Sequence, residues 1–301
     1  MKSNGKLGPF IGLGTAIVTP FTPGRQEIDY EALERVVEMQ IDAGVAALVP
    51  CGSTGESATL THDEHVNVIE FVVKQAKGRV PVIAGTGSNA TREAVRLTCR
   101  ARDVGAAGAL LISPYYNKPT QEGIYLHYKT IAEQARFPLI VYNIPGRTGS
   151  KIEATTIVRL AELDEIVGLK EATGSLDEVQ EVIRLCGDRI AVYSGDDALT
   201  LPIMEAGGCG VISVISNVLP KAFREVVEAA ARGDFSLARV LNSNLEPLMR
   251  ALFFETNPIP VKAALAMMGL CRDELRLPLT PMSEEPRAKL RAVLEEMRLL
   301  P

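Results

Sequence analysis

The sequence predicts an α/β protein, a (β/α)8 TIM barrel with a C-terminal helical appendage, on three observations. Eight short β-rich runs alternate with amphipathic helical patterns over most of the chain. Most of these runs are apolar throughout, as expected for parallel strands that helices cover. Strand and helix repeated eight times is the pattern of this barrel. A doubly wound open sheet is the alternative that the pattern leaves open.

The predicted strands lie between turn residues or helix patterns. They are residues 13–19, 46–51, 80–84, 109–113, 139–143, 166–170, 190–194 and 210–214. Helix starts are also legible, since Asp29 suits an N-cap and Pro220 a first turn. Thr61 with Glu64, and Ser175 with Glu178, have the spacing of a capping box.

After about residue 232 the strand pattern stops. Three helices are predicted there, over residues 234–252, 260–268 and 284–300. No Gly/Ser-rich linker precedes them, so we expect a catalytic barrel of residues 1–233 with a helical domain of residues 234–301 docked on it.

Composition excludes several classes of function. The chain has 301 residues, 47% of them hydrophobic and 23% charged, with a formal net charge of −5. An acidic chain without a basic cluster argues against nucleic-acid binding, and no apolar run is long enough to span a bilayer. The N-terminus lacks a signal-like segment, and the five cysteines are scattered without a Cys-x-x-Cys pair. We therefore expect a reduced, cytoplasmic protein.

The sixth predicted strand ends in a lysine, Lys170, followed by Glu171. Burial of a lysine lowers its pKa and leaves an amine that can attack a carbonyl. The alternative is a solvated lysine at the end of a strand. Other strand ends carry the glycine-flanked hydroxyls Ser53 and Thr54, and Arg147 in a Gly/Pro turn. In a barrel these ends meet at one rim, which predicts a Schiff-base site with a proton relay.

Two other patterns are weaker. Residues 85–90 fit the loose dinucleotide fingerprint G-x-G-x-x-A, but the acidic residue expected after the next strand is missing. His62 and His65 lie near each other, but no further ligand is evident, so no metal site is predicted.

The chain resembles the dihydrodipicolinate synthase family of pyruvate-dependent class I aldolases, nearly end to end. The most specific segments are 113–119 (SPYYNKP), 142–149 (YNIPGRTG), 168–174 (GLKEATG), 194–197 (SGDD) and 210–214 (GVISV), with NPIPVK at 257–262. The family most often has threonine at the position of Ser53. The loop that carries Ser53 is also common in N-acetylneuraminate lyases, whereas residues 147–149 favour the synthases.

The resemblance implies condensation of pyruvate with L-aspartate 4-semialdehyde to 4-hydroxy-tetrahydrodipicolinate, on the path to diaminopimelate and lysine. It implies no cofactor, because the imine forms on Lys170. The catalytic set it implies is Lys170, Tyr142, Ser53 and Tyr116, with Tyr116 reaching a neighbouring subunit's site. The substrate-binding set is Thr54, Arg147, Gly195 and Ile212. An N-acetylneuraminate lyase or another 2-keto-acid sugar aldolase is the alternative within the superfamily, and a non-catalytic regulatory barrel is the alternative outside it.

The resemblance further implies a homotetramer, a dimer of dimers, and a feedback site for L-lysine. The positions that match this site are Ser57, Ala58, His62, His65, Asn89, Glu93 and Tyr115. The alternative is that they are solvated residues at helix starts.

Overall fold

The computed structural model describes residues 8–24 and 27–300. Its strands, numbered in chain order, are β1 (Gly12–Ala16), β2 (Ala47–Val49), β3 (Ile83–Gly85), β4 (Gly108–Ile112), β5 (Leu139–Asn143), β6 (Ile166–Glu171), β7 (Ala191–Ser194) and β8 (Gly210–Ser213). Each lies within or close to one of the eight predicted runs. The prediction that the N-terminus carries no signal segment falls on residues outside those described.

All the strand pairs are parallel, in the order β2-β1-β8-β7-β6-β5-β4-β3. A parallel bridge between Leu48 and Val82 joins the two ends of this order. There the Leu48 amide donates to the Pro81 carbonyl oxygen over 3.0 Å. The strands therefore form a nearly closed barrel, which confirms the predicted (β/α)8 fold.

Helices alternate with the strands and continue after β8. They are α1 (Tyr30–Asp42), α2 (His62–Ala76), α3 (Thr91–Asp103), α4 (Gln121–Ala135), α5 (Pro145–Thr148), α6 (Ala154–Leu160), α7 (Leu176–Cys186), α8 (Thr200–Glu205), α9 (Pro220–Ala231), α10 (Phe235–Ser243), α11 (Glu246–Ala251), α12 (Ile259–Met267) and α13 (Glu284–Glu296). Asp29 and Ser175 cap α1 and α7 through their side chains, and Thr61 forms a complete capping box with Glu64. At α7 only the Ser175 half of the predicted box is formed.

The predicted helix 234–252 is wrong as a single element, since α10 ends at Ser243 and α11 begins at Glu246. Pro247 explains the break. Proline has no amide hydrogen to donate to the Ser243 carbonyl, and its ring would clash with that carbonyl in a continuous helix. The apolar helical pattern continues across Pro247, so it predicted one helix where the structure has two.

The barrel interior is closed at the amino ends of the strands. Phe10, just before β1, stacks on Tyr193 with ring centroids 4.5 Å apart. The Tyr193 hydroxyl donates to the Phe10 carbonyl oxygen over 2.6 Å. These contacts fill the interior beside the residues that precede β1, whereas functional groups of such barrels lie at the carboxyl ends of the strands.

After α9, residues 232–300 form helices and connecting loops but no strand. The first of these helices, α10, packs against α9. The division into domains 1–233 and 234–301 stays a prediction. No helix in the described part of the chain is long and apolar enough to cross a membrane.

Candidate active site

Lys170 lies near the carboxyl end of β6, between Tyr142 of β5 and Tyr193 of β7 in strand register. Its side chain is buried, at 5% exposure. The Nζ atom lies 4.3 Å from the centroid of the Tyr142 ring. Among the described residues it makes no hydrogen bond and no ion pair. Sequence analysis placed this lysine at a strand end, and the structure shows a buried amine there without a counterion.

The surroundings of Lys170 favour its neutral form. Burial lowers its pKa to about 8 because an ammonium is poorly solvated there. The carboxylate of Asp197 opposes this effect, and the guanidinium of Arg147 adds to it. With a pKa of about 8, roughly a tenth of the amine is unprotonated at pH 7, far more than in a lysine of ordinary pKa, and this form is the nucleophile that attacks a carbonyl.

Gly195, after β7, is the immediate neighbour of this lysine. A Cβ at Gly195 would lie 3.1 Å from Lys170 Cε and 3.0 Å from the Glu171 carbonyl oxygen. A side chain would therefore displace the amine. Ile212 of β8 is fully buried in the barrel interior, in one cluster with Tyr142.

Tyr142 is buried, and burial raises the pKa of its phenol, with smaller contributions from Glu171 and Asp196 and an opposing one from Arg147. The phenol thus stays protonated at neutral pH and can donate a proton or a hydrogen bond. It lies beside the amine of Lys170, so a proton donor and a nucleophile are neighbours.

A cavity of about 430 Å³ opens at this end of the barrel. Its walls include Ser53, Tyr142 and Arg147 from the predicted catalytic and substrate-binding sets. Lys170 is not a wall residue, but it contacts the Tyr142 ring, which is one. A nucleophile, hydroxyl groups and a cation are thereby gathered around one space.

Ser53 and Thr54 lie in the turn after β2. The Ser53 side chain is half-buried, whereas Thr54 is buried and its hydroxyl accepts a hydrogen bond from Asn257 Nδ2 over 3.0 Å. A Cβ at Gly55 would lie 3.0 Å from the Cys51 amide nitrogen, so the turn requires a residue without a side chain there. The turn is therefore tight and is tied to the C-terminal helices.

Arg147 lies on the one-turn helix α5, and its Nη2 donates to the Asn257 carbonyl oxygen over 2.9 Å. Asn257 thus contacts both Thr54 and Arg147, and it lines the cavity itself. Asn257 begins the NPIPVK segment, but the sequence indicated no role for it. Its partners are 203 and 110 positions away in the chain, so no local pattern could indicate these contacts.

Asp197 is a second residue to which sequence reasoning gave no role. One of its oxygens, Oδ2, accepts from the amides of Val214 and Ile215 over 3.0 and 2.7 Å. Burial raises the pKa of this carboxyl group. Its position near Lys170 makes it the negative charge that limits how far the amine's pKa falls.

Tyr116 is not brought to the cavity of its own chain. Its side chain is 86% exposed, and its backbone has φ of +72°. The Tyr116 amide donates to the Thr148 carbonyl oxygen over 3.2 Å, so the outward orientation is anchored to α5. Tyr116 is therefore not among the residues that line the cavity of its own chain, whereas Tyr142 and Ser53 are.

The residues predicted for the effector share this cavity. Ser57, Ala58, His62, His65, Glu93 and Tyr115 line it, whereas Asn89 does not. Asn89 instead donates through Nδ2 to the Tyr115 carbonyl oxygen over 3.2 Å.

Charged and polar groups around this part of the cavity are already paired within the chain. His62 Nε2 forms a hydrogen bond with the Glu93 carboxylate, which also accepts from the Ser88 hydroxyl. These contacts lower the pKa of Glu93, the Ser88 contact most. His65 Nε2 lies 2.6 Å from the Gly85 carbonyl oxygen, and burial lowers the pKa of this histidine. A cationic ligand would therefore meet an ionised Glu93 here.

The glycines of the loose dinucleotide fingerprint have a packing explanation. A Cβ at Gly85 would lie 2.2 Å from the Cys51 carbonyl oxygen, and one at Gly87 would lie 2.4 Å from the Ile112 amide nitrogen. Both glycines are required where neighbouring strand ends approach each other. Within the described residues, no group of histidine, cysteine, aspartate or glutamate side chains could hold a metal ion.

The chain is similar over nearly its whole length to proteins of one family. Residues 9–297 match the model of the dihydrodipicolinate synthetase family. A 4-hydroxy-tetrahydrodipicolinate synthase of Trichlorobacter lovleyi is 53% identical over 97% of this chain and 100% of its own length.

Solved structures are also similar to this chain over nearly its whole length. A chloride-inhibited dihydrodipicolinate synthase from Acinetobacter baumannii, complexed with pyruvate, has a TM-score of 0.95 and 47% identity, over 96% of this chain and 99% of that one. The enzyme from Cyanidioschyzon merolae with lysine bound has a TM-score of 0.94 and 40% identity, over 97% of this chain and 100% of that one.

The environment of Lys170 generates a prediction about its titration. Competitive acetylation across a pH series, read by peptide mass spectrometry, should give Lys170 a pKa of about 8, against about 10.4 for an ordinary lysine. Asp197→Asn removes a charge that favours the ammonium, so the pKa should fall further. Arg147→Met removes a charge that disfavours it, so the pKa should rise. A wild-type value near that of an ordinary lysine, or shifts of opposite sign, would contradict this account.

Proposed function

The chain belongs to the dihydrodipicolinate synthetase family, and we propose that it is a lyase that condenses pyruvate with L-aspartate 4-semialdehyde to 4-hydroxy-tetrahydrodipicolinate. This is the first committed step of diaminopimelate and lysine biosynthesis. The observation that carries the proposal is the buried, unpaired amine of Lys170 beside Tyr142, at the strand ends that open into a cavity containing Arg147.

The reaction begins with the neutral amine of Lys170. It attacks the keto carbon of pyruvate, and the carbinolamine loses water to give an iminium ion on Nζ. The iminium accepts electrons when a methyl proton leaves, which yields an enamine. The imine is the only covalent activation required, so we infer that no cofactor takes part.

Proton transfers at each stage need a nearby acid and base. We assign these to the Tyr142 phenol and the Ser53 hydroxyl, which line the same cavity. Serine keeps the hydroxyl that a threonine would supply, without the methyl that restricts its rotamer. Tyr116 would complete the relay from a neighbouring subunit, and its exposed, anchored position supports this role.

Two carboxylates have to be bound. We assign the pyruvate carboxylate to Ser53 and Thr54, with Gly195 and Ile212 lining the pocket. Arg147 lies on the cavity wall, where its guanidinium can bind the semialdehyde carboxylate. The enamine then adds to the aldehyde, and the substrate's own amine displaces Lys170 and closes the ring.

The alternatives within and outside the superfamily have less support. A sugar-acid lyase would use the same lysine, but the relative from Trichlorobacter lovleyi, 53% identical over 97% of this chain, is a 4-hydroxy-tetrahydrodipicolinate synthase. A buried lysine without a counterion destabilises the folded protein. A non-catalytic barrel would gain no activity in return.

The five cysteines are free, which fits the reducing cytoplasm that we propose as the location of the protein.

We further propose a homotetramer, built as a dimer of dimers, that L-lysine inhibits. The donation of Tyr116 to a neighbouring site requires at least a dimer. Support for the effector comes from the ionised Glu93 in the cavity wall and from the lysine-bound relative. Tyr115 precedes Tyr116, so a ligand held by Tyr115 could alter the relay through one peptide unit.

The first prediction of this function concerns Lys170. Borohydride reduction in the presence of pyruvate should convert the imine to a secondary amine and leave a 1-carboxyethyl group on the peptide that contains Lys170, and Lys170→Met should abolish both adduct and activity. Lys262, which is also buried, is the internal control and should remain unmodified. An adduct elsewhere, or none in an active preparation, would overturn the assignment.

The second prediction concerns Arg147. Arg147→Met should lower kcat/KM for the semialdehyde about ten- to a hundredfold, because it removes a charge-assisted bidentate contact. Arg147→Lys should lose less, since it keeps the charge. Borohydride trapping of pyruvate should survive in both variants when each is assayed at its own optimal pH. Equal loss for both substrates would make the arginine structural and favour the sugar-acid alternative.

The third prediction concerns the effector. L-lysine at millimolar concentration should inhibit wild-type enzyme without competing with pyruvate, and Glu93→Gln should weaken this inhibition. The matched control is Glu122→Gln, which removes an acid from an exposed ion pair with Arg159 on the neighbouring helix. If lysine does not inhibit, or if both variants respond like the wild type, the regulatory proposal is wrong and the catalytic one is unaffected.

A further inference from the structure

Lys262 of α12 is a second buried lysine, and the proposed chemistry does not use it. Its side chain is completely buried. The Nζ atom donates to Glu56 Oε1 over 2.6 Å and to the Thr19 carbonyl oxygen over 3.0 Å. It also lies 4.3 Å from the centroid of the Phe21 ring. The residue ends the motif NPIPVK, for which the sequence suggested no function.

Burial lowers the pKa of Lys262, but the Glu56 carboxylate opposes this effect, and the contacts of Lys262 indicate a role as a charge partner. A carboxylate at hydrogen-bonding distance stabilises the ammonium, whereas Lys170 has no such partner within the described residues. Lys262 does not line the cavity either. The function of Lys262 is therefore best inferred from the residue to which it is hydrogen-bonded.

Glu56 is the residue that it holds, and Glu56 shapes the turn that contains Ser53 and Thr54. Its backbone is left-handed, with φ of +52°, a conformation that L-residues adopt at a cost. The Glu56 amide donates to the Ser53 carbonyl oxygen over 3.2 Å. An unfavourable backbone conformation persists where surrounding contacts impose it.

The other carboxylate oxygen of Glu56 is also occupied. Oε2 accepts from the Arg276 amide over 3.1 Å, so both oxygens are bound by residues of the C-terminal helical region. Asn257, from the same region, donates to Thr54 in the same turn. The turn therefore has its conformation imposed by side chains and backbone that lie more than two hundred positions later in the chain.

We propose that Lys262 is a positioning residue for substrate binding: by holding Glu56, it fixes the turn that presents Ser53 and Thr54 to the carboxylate of pyruvate. The inference rests on the proposed function, because it concerns the same pyruvate site. Lys262 acts through Glu56 and does not itself touch the substrate.

The test uses the full-length enzyme with variants that separate positioning from stability. Lys262→Met removes the ammonium and leaves the Glu56 carboxylate buried without its partner, which destabilises a protein strongly. Its Tm should fall, and the pyruvate concentration for half-maximal borohydride trapping should rise about ten- to a hundredfold.

The double variant Glu56→Gln with Lys262→Met has no uncompensated charge, so its Tm should recover toward the wild-type value. Its half-saturating pyruvate concentration should stay raised, because the ammonium that held residue 56 is absent. The matched control is Arg287→Met, which removes an ion pair with Asp273 in the C-terminal region without touching the turn. This control should lower the Tm and leave the pyruvate dependence unchanged.

The outcomes distinguish the two proposals. If the double variant recovers both Tm and pyruvate dependence, or if pyruvate dependence follows Tm in the Arg287 control, the pair is only structural and the positioning proposal is wrong. If neither Lys262→Met nor the double variant changes the pyruvate dependence, the positioning proposal is also wrong. A carboxyethyl adduct on wild-type Lys170 would still leave the proposed function intact. If wild-type enzyme forms no adduct, both proposals fail.

Discussion

The structure depends on keeping one amine, that of Lys170, out of water and without a counterion. A lowering of the lysine pKa from 10.5 to about 8 corresponds to about 3 kcal/mol of differential interaction between amine and ammonium. The nearly closed barrel contributes to this burial, and Phe10 and Tyr193 pack together in its interior. The Nζ atom of Lys170 lies 4.3 Å from the centroid of the Tyr142 ring, and a Cβ at Gly195 would come within 3.1 Å of Lys170 Cε.

Two buried lysines in one chain show how a partner decides the role of a residue. Lys262 has the Glu56 carboxylate at 2.6 Å, so its charge is compensated and it contributes to structure. Lys170 has Asp197 near enough to raise its pKa, but Asp197 Oδ2 is already bound by two backbone amides. The carboxylate that favours the Lys170 ammonium is thus itself hydrogen-bonded by backbone amides, and it forms no hydrogen bond with the Lys170 amine.

Most of the fold and part of the site could be predicted from the sequence, because local patterns encode them. Apolar runs indicated all eight strands, and a lysine at the end of an apolar run indicated Lys170. Pro247 was misjudged, since an apolar helical pattern continues across it. Asn257 and Glu56 were missed for another reason: their partners are 203 and 206 positions away, and only the closed barrel brings them together. Long-range contacts of polar residues leave no periodic signal in a sequence.

The C-terminal helical region is a wall of the site and not only an appendage. Asn257 contacts Thr54 and Arg147, and Arg276 donates through Nη1 to the Thr59 carbonyl oxygen over 3.0 Å in the segment that leads to α2. Arg276 also binds the Glu64 carboxylate with both terminal nitrogens, two residues after His62 in α2. The same segment thus runs from the proposed pyruvate site to the proposed effector site, held along its length by one region. A change that shifts either end of this segment must therefore disrupt contacts with the C-terminal region.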